Sequence, residues 1–468
     1  MGAGSRGVHF SPRRRTAVVL VGEGTGAAYL AGAMRALDAA GVRVDVVLGR
    51  GAGALVAAFS GLSAEDKFDG EGGLLAAAAR VRPFRIAPLY RFAALCLAAS
   101  FACFAAPALL GLVSVVLVPF QALVRAFVPA AAASSPSWLS GMVSLAEPYY
   151  LPAVALPVIV LFLLYSARSL RLLWRAKGRR PGFSELFPPP FDLEPLERLL
   201  SKRLWQLARG TATEERPRSR EALSEAYVQL LASGFGQHGF REIVLYALDT
   251  DTGEEIPFIA LKERFAKKMQ ADLDSGRKEP IDLSGAGASV LFDALIAALT
   301  PPGLAPEVGI RLPRGSKLGG EVHRFASSLS TGSEALPDAV ASGAEQIFYI
   351  TSAAAGSRVS GTLWERISAG AVKTSLERDL LWAASIPAVP VFVIRPDSER
   401  LAPYELEGRP QLGGGRLTPS ALVDQGARDV ERLFLRPVLG EELSPLPHEA
   451  QEATVPVDRE WKAGPKEL

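Results

Sequence analysis

The sequence predicts an α/β fold with a mainly parallel sheet, interrupted by a two-helix transmembrane hairpin. Three observations carry that reading. Two strand, glycine turn, helix units follow one another between Thr16 and Leu62, strand-like and helix-like segments resume after a Pro188-Pro189-Pro190 linker, and two uncharged apolar runs separate the halves. Strands alternating with helices imply parallel pairing, because each helix returns the chain to the start of the next strand.

The first unit reads as a strand at Ala17-Val18-Val19-Leu20-Val21, a turn from Gly22 to Gly26 and a helix from Ala27 to Ala40. The second has a strand from Val44 to Leu48, a turn from Gly49 to Gly53 and a helix from Ala54. Both strands are short apolar runs bounded by glycine, the pattern of strands buried on both faces. Beyond the linker, helices are expected at Leu193 to Leu207, Glu221 to Leu231 and Ala288 to Leu299, with strands at Glu242 to Leu248, Gln346 to Thr351 and Val389 to Ile394.

The runs 92–118 and 148–167 contain no charged residue, and each reaches the ~20 residues that a bilayer-crossing helix needs. Arg82, Arg85 and Arg91 precede the first, and Arg168, Arg171, Arg175, Lys177, Arg179 and Arg180 follow the second. The positive-inside rule then puts both outer flanks, and so both termini, on the cytoplasmic side, as expected of a multi-pass protein of a bacterial inner membrane. The expected organisation is a disordered basic N-terminus over 1–15, a first α/β part over 16–90, the hairpin insertion over 91–175, a second α/β part with a C-terminal extension over 176–440 and a disordered tail over 441–468.

Lys and Arg number 51 against 49 Asp and Glu, a net charge of +2, so nothing in the balance points to nucleic acid. The two cysteines, Cys96 and Cys103, share one apolar run and suggest no disulfide framework. His9, His238, His323 and His448 form no pair at ligand spacing, so neither a metal nor a cofactor is assigned.

Two glycine turns carry the chemistry. Gly22-Glu23-Gly24-Thr25-Gly26-Ala27 fits the G-x-G-x-x-A turn of a dinucleotide-binding unit, with Arg50 after the second strand as a candidate partner for a 2′-phosphate. Gly49-Arg50-Gly51-Ala52-Gly53 has the frame of the G-x-S-x-G nucleophile elbow with glycine in the serine position. That elbow needs small residues at both ends, because strand and helix meet there at a sharp turn.

Taken together, the two turns resemble the start of a patatin-like phospholipase domain. In that family the first is a glycine-rich oxyanion loop and the second carries the nucleophile. Tyr246 to Glu254, ending Thr252-Gly253-Glu254, and Ala297 to Pro306 are similar to later stations of the family. The resemblance implies a three-layer sandwich and lipid acyl hydrolysis by a serine and aspartate pair.

This chain departs from the family at both catalytic positions. Gly51 stands where the serine would be, and counting back from Pro337 puts Leu329 at the aspartate. A hydroxyl that attacks and a carboxylate that takes its proton are both absent, so no acyl-enzyme can form there. Gly22, Gly24, Thr25 and Gly26 remain as an oxyanion-like loop, and Arg50 is either a contact for a phosphate or carboxylate head group or a solvated loop arginine.

The expected role is therefore a non-hydrolytic relative that binds membrane lipid or a protein partner, with no nucleic acid involved. Two alternatives stand beside it. One is an active hydrolase with a different nucleophile, for which Thr25, Ser327, Ser328 and Ser330 are hydroxyl candidates. The other is an NAD(P)-binding protein built on the first turn.

Overall fold

The computed structural model describes residues 10–64, 67–68, 73–81, 83–103, 105, 155–163, 166, 170, 189–209, 219–271, 279–285, 287–313, 319–328, 334–353, 374, 376–383, 385, 389–396 and 418–439. The chain divides into two compact units, Met1–Phe84 with Leu193–Leu468, and Arg85–Asp192. Of the disordered basic N-terminus expected over 1–15, residues 1–9 lie outside the described residues, as does the tail over 441–468, while residues 10–15 are described and Arg15 pairs with Glu242 at 2.9 Å.

The larger unit is organised by β1 (Thr16–Gly22) and β2 (Val46–Gly51), every residue of which is buried. Side chains buried on both faces explain why both strands are mostly apolar rather than alternating, with Thr16 and Arg50 as the polar exceptions. They pair in parallel, with Ala17 opposite Val46 and Gly22 opposite Gly51. Helix α1 (Gly26–Ala39) connects them, and α2 (Ala52–Ser60) follows β2 without an intervening loop.

In the smaller unit, β3 (Arg85–Ile86) and β4 (Phe191–Asp192) pair antiparallel, and the Ala87 amide donates to the Pro190 carbonyl. These contacts draw the two ends of the inserted segment together. Helices cover residues 88–103 and 155–163.

Among the described residues no helix is long and apolar enough to cross a membrane. This corrects the transmembrane hairpin expected at 92–118 and 148–167, and with it the two-span inner-membrane topology. The remainder of both runs lies outside the described residues.

The sheet continues in the larger unit with β5 (Glu242–Asp249), β6 (Glu254–Ala260), β7 (Ile281–Asp282), β8 (Val308–Arg311), β9 (Val322–Ala326), β10 (Gln346–Thr351) and β11 (Val391–Ile394). Its order is β11-β10-β1-β2-β5-β6-β7, with β9 also pairing β5 and β8 pairing β9. Parallel pairing runs from β11 through β10, β1 and β2 to β5, while β6 and β9 meet β5 antiparallel. The result is the mixed α/β fold with a mainly parallel sheet that the alternation predicted.

Helices α3 (Leu74–Val81), α4 (Glu194–Arg209), α5 (Arg220–Gly234), α6 (Glu263–Ala271), α7 (Leu291–Leu299), α8 (Ala335–Ala341) and α9 (Pro419–Val430) follow in the larger unit, with further helical segments at 288–290, 376–383 and 431–439. Ala17, Val19, Leu48 and Tyr246 pack on one face of the sheet with Ala266 and Met269 of α6, Leu336 and Ala339 of α8, and Leu376. On the other face α1 crosses α9 at close range. A Cβ on Gly32 would lie 1.9 Å from the Val423 carbonyl oxygen, and one on Gly426 would lie 2.1 Å from that of Tyr29. Tyr29 also donates from its hydroxyl to Asp429, 3.1 Å away.

Candidate functional site

The two glycine turns stand side by side, because Gly22 and Gly51 are opposite one another at the carboxyl ends of adjacent parallel strands. In open α/β sheets, ligands bind outside those carboxyl ends where neighbouring connections diverge. Here β2 lies on one side of β1 and β10 on the other.

Gly51 has φ 58° and ψ −128°, and the next residue begins α2. That conformation is favoured by glycine alone among common residues, and it turns a strand into a helix within one residue. Neighbouring glycines are required by sterics. A Cβ on Gly49 would come within 2.4 Å of the Gly53 carbonyl oxygen, and one on Gly53 within 2.1 Å of the Leu20 carbonyl oxygen. This is the geometry of a nucleophile elbow, with hydrogen in place of the side chain.

The first turn is looser. Gly24 has φ 45°, Thr25 occupies the N-cap position without a side-chain capping bond, and Gly26 starts α1. Thr25 is buried, and the Gly26, Ala27 and Ala28 amides donate to Glu23, Gly24 and Thr25 carbonyls. Flanking it, the Ser352 amide donates to the Val21 carbonyl, and the Ser352 hydroxyl would lie 2.6 Å from a Cβ on Gly22. Ser352 was not singled out in the sequence. The helix α2 begins at Ala52, so its first amides have no intrahelical acceptor.

Arg50 is placed differently from either sequence expectation. It belongs to β2 and is fully buried, with Nε 2.7 Å from Glu255 and Nη2 donating to the Ser328 carbonyl at 2.8 Å. Burial presses its pKa down, but attraction to Glu255 and Asp379 and the Glu255 hydrogen bond outweigh this and raise it. Its guanidinium therefore stays charged within the protein and is committed to internal acceptors. Neither a solvated loop position nor a 2′-phosphate contact matches that environment.

Around this ion pair the polar groups are paired in turn. The Tyr246 hydroxyl donates to Asp338 at 2.8 Å and the Tyr349 hydroxyl to Asp379 at 2.6 Å. Burial raises both tyrosine pKa values well above the ordinary range, and the neighbouring carboxylates add to the rise. Both phenols thus remain donors. The other Glu255 oxygen accepts the Glu334 amide at 3.3 Å.

Ser327 and Ser328 lead toward the position expected to replace the catalytic aspartate. The Ser327 amide donates to the Thr300 carbonyl, and the Ser327 hydroxyl is buried without a hydrogen-bond partner among the described residues. Leu329 and Ser330 lie outside the described residues. Arg50 thus ties the last described residue before Leu329 to the strand that ends at the elbow.

Sequence reasoning also missed Asp249, Asp251 and His323 as a group. Asp249 is fully buried, with one oxygen 2.9 Å from His323 Nδ1. The signal within reach was Asp249-Thr250-Asp251 before the turn glycine Gly253, whose φ is 76°. Along the chain the histidine is separated from Asp249 by 74 positions, with β6, β7 and β8 between them.

No protein-family model matches the chain, and no curated protein matches it. Among solved structures, VipD from Legionella pneumophila aligns over 90% of this chain and 67% of its own at 10% identity, with a TM-score of 0.30. At that TM-score the likeness carries no argument about function.

Proposed function

We propose that the protein is a non-hydrolytic relative of the patatin-like lipid acyl hydrolases, holding the carboxylate or carbonyl end of an acyl lipid at the paired glycine turns. One observation carries this reading. Gly51 has φ 58° and ψ −128° at a strand-to-helix junction, opposite Gly22, and supplies no nucleophile. The amides that open α2 can donate to an anionic or polarised oxygen, while covalent acyl transfer has no attacking group at that position.

In a serine protease, loss of the nucleophile alone lowers turnover by roughly a million-fold. The protein is therefore expected to bind an acyl ligand and leave it intact. The NAD(P) alternative draws no support from Arg50, whose guanidinium is taken up by Glu255 and Ser328.

The test combines binding with chemistry. The purified chain is titrated with a fluorescent fatty acid, assayed against short- and long-chain acyl esters and phospholipids, and exposed to a serine-reactive fluorophosphonate probe. Saturable fatty-acid binding without turnover or labelling is the expected result, with labelling acquired by the Gly51→Ser, Leu329→Asp double variant, which restores both hydroxyl and base. Turnover by the unaltered chain would overturn the non-hydrolytic reading, and absence of saturable binding would overturn the acyl-ligand reading.

A further inference from the structure

At the carboxyl end of the sheet, β5 finishes on Asp249, three residues beyond the Tyr246 that pairs with Arg50, and Asp251 follows in the turn to β6. His323 lies on β9, which runs antiparallel to β5 with Leu248 opposite Ala326 and Asp249 opposite Phe325. That pairing brings one atom from each of the three side chains within 4.8 Å of the other two.

His323 is 8% exposed, its Nδ1 is 2.9 Å from Asp249 Oδ2, and its Nε2 is buried without a hydrogen-bond partner among the described residues.

A divalent cation between Nδ1 and the two carboxylates fits this cluster, whose ligand atoms all lie within 4.8 Å of one another. With metal–ligand distances of about 2.1 Å, neighbouring ligand atoms at a right angle stand about 3 Å apart, as Nδ1 and Asp249 Oδ2 do. The proton then sits on Nε2, and Glu321 Oε2 is 4.0 Å away on a side chain 85% exposed, free to swing onto it. A metal-bound histidine usually donates its second N–H to a carboxylate in this way.

The carboxylates are oriented as ligands commonly are. Asp249 Oδ1 accepts the Asp251 amide at 2.9 Å. Asp251 accepts from the Arg324 amide, Nε and Nη2 at 3.0, 3.1 and 2.6 Å. Asp251 is itself exposed, which leaves a route from solvent.

We propose that Asp249, Asp251 and His323 bind one divalent transition-metal ion, with one imidazole and two carboxylates suited to zinc or manganese. The remaining coordination positions belong to water or to an oxygen ligand arriving from the exposed side. This site stands apart from the acyl-binding reading of the glycine turns, and neither requires the other.

The experiment uses the full chain after chelator treatment, titrated separately with zinc and manganese by calorimetry, with elemental analysis after dialysis. The expected result is one ion per chain, a higher Tm with metal, and binding weakened about tenfold or more by Asp251→Asn and by His323→Gln. Absence of saturable binding, or equal affinity in Asp251→Asn, would overturn the proposal. Because Asp251 is exposed, that variant keeps the test decisive even where His323→Gln does not fold.

Discussion

The turns after β1 and β2 are built from the same small residues and lie side by side, yet they solve different problems. After β1 the chain takes Glu23, Gly24 and Thr25 before α1 begins, whereas after β2 the helix starts at the very next residue. At the first turn, a Cβ on Gly22 would meet a serine hydroxyl, which can rotate away. At the second, Cβ atoms on Gly49 and Gly53 would meet backbone held by two packed elements. Glycine is thus convenient in one turn and compulsory in the other, and substitutions at both sites should reveal that ranking.

The largest effect is expected from Gly53→Ala. Its Cβ would stand 2.1 Å from the Leu20 carbonyl oxygen, so α2 would have to separate from β1. A loss of about 4 kcal/mol or more is expected, beyond the usual range for a single change. Chemical denaturation, or failure of the variant to accumulate folded, would register it. A midpoint near the parent's would mean that α2 is far less constrained than its contacts imply.

Next is Arg50→Met, which leaves Glu255 buried without its partner and should cost about 3–5 kcal/mol. Pairing it with Glu255→Met should restore most of that loss, because two apolar side chains replace two charges together. Equal stability of the single and double variants would show that Glu255 finds another counter-charge. This result separates the strand-bound role of Arg50 from the ligand contact expected of a residue in a turn.

Gly51→Ser comes third, at about 1–3 kcal/mol, since any side chain at φ 58° and ψ −128° stores backbone strain. A serine tolerated there at no cost would argue that the turn relaxes on substitution and is no true elbow. Gly22→Ala is the mildest, at about 1 kcal/mol, set by how easily the Ser352 hydroxyl moves. Adding Ser352→Ala should remove part of that cost, because the Leu30 methyl at 3.0 Å and the Ser352 Cβ at 3.2 Å remain, and persistence of the full loss would point to Leu30 instead.

Much of the sheet was legible because its central strands are buried on both faces. The expected segments at 17–21, 242–248 and 346–351 fall within β1, β5 and β10, since a continuous apolar run bounded by polar or turn residues has few other uses. β2 was read as ending at Leu48, but it continues to Gly51 because Arg50 finds Glu255 and remains in the strand. β8 and β9 escaped notice: Val308–Arg311 is a short strand with Gly309 and Arg311 exposed, and among the described residues it pairs only with the following strand, β9. Of the candidate site, the elbow was readable from its small residues, while Leu329 lies outside the described residues.

Local sterics are written in neighbouring residues, so the sequence alone determined the strand-turn-helix units, the demand for Gly49, Gly51 and Gly53, and the lack of a hydroxyl at the elbow. Pairing of charges depends on register between segments far apart in the chain, so only the tertiary structure decided where Arg50 would point, and that His323 would stand 2.9 Å from Asp249 across 74 positions. The same holds for Gly32 and Gly426, whose missing side chains acquire meaning only where α1 and α9 cross. Hydropathy, likewise, measured how apolar residues 92–118 and 148–167 are, whereas among the described residues no helix is long and apolar enough to cross a membrane.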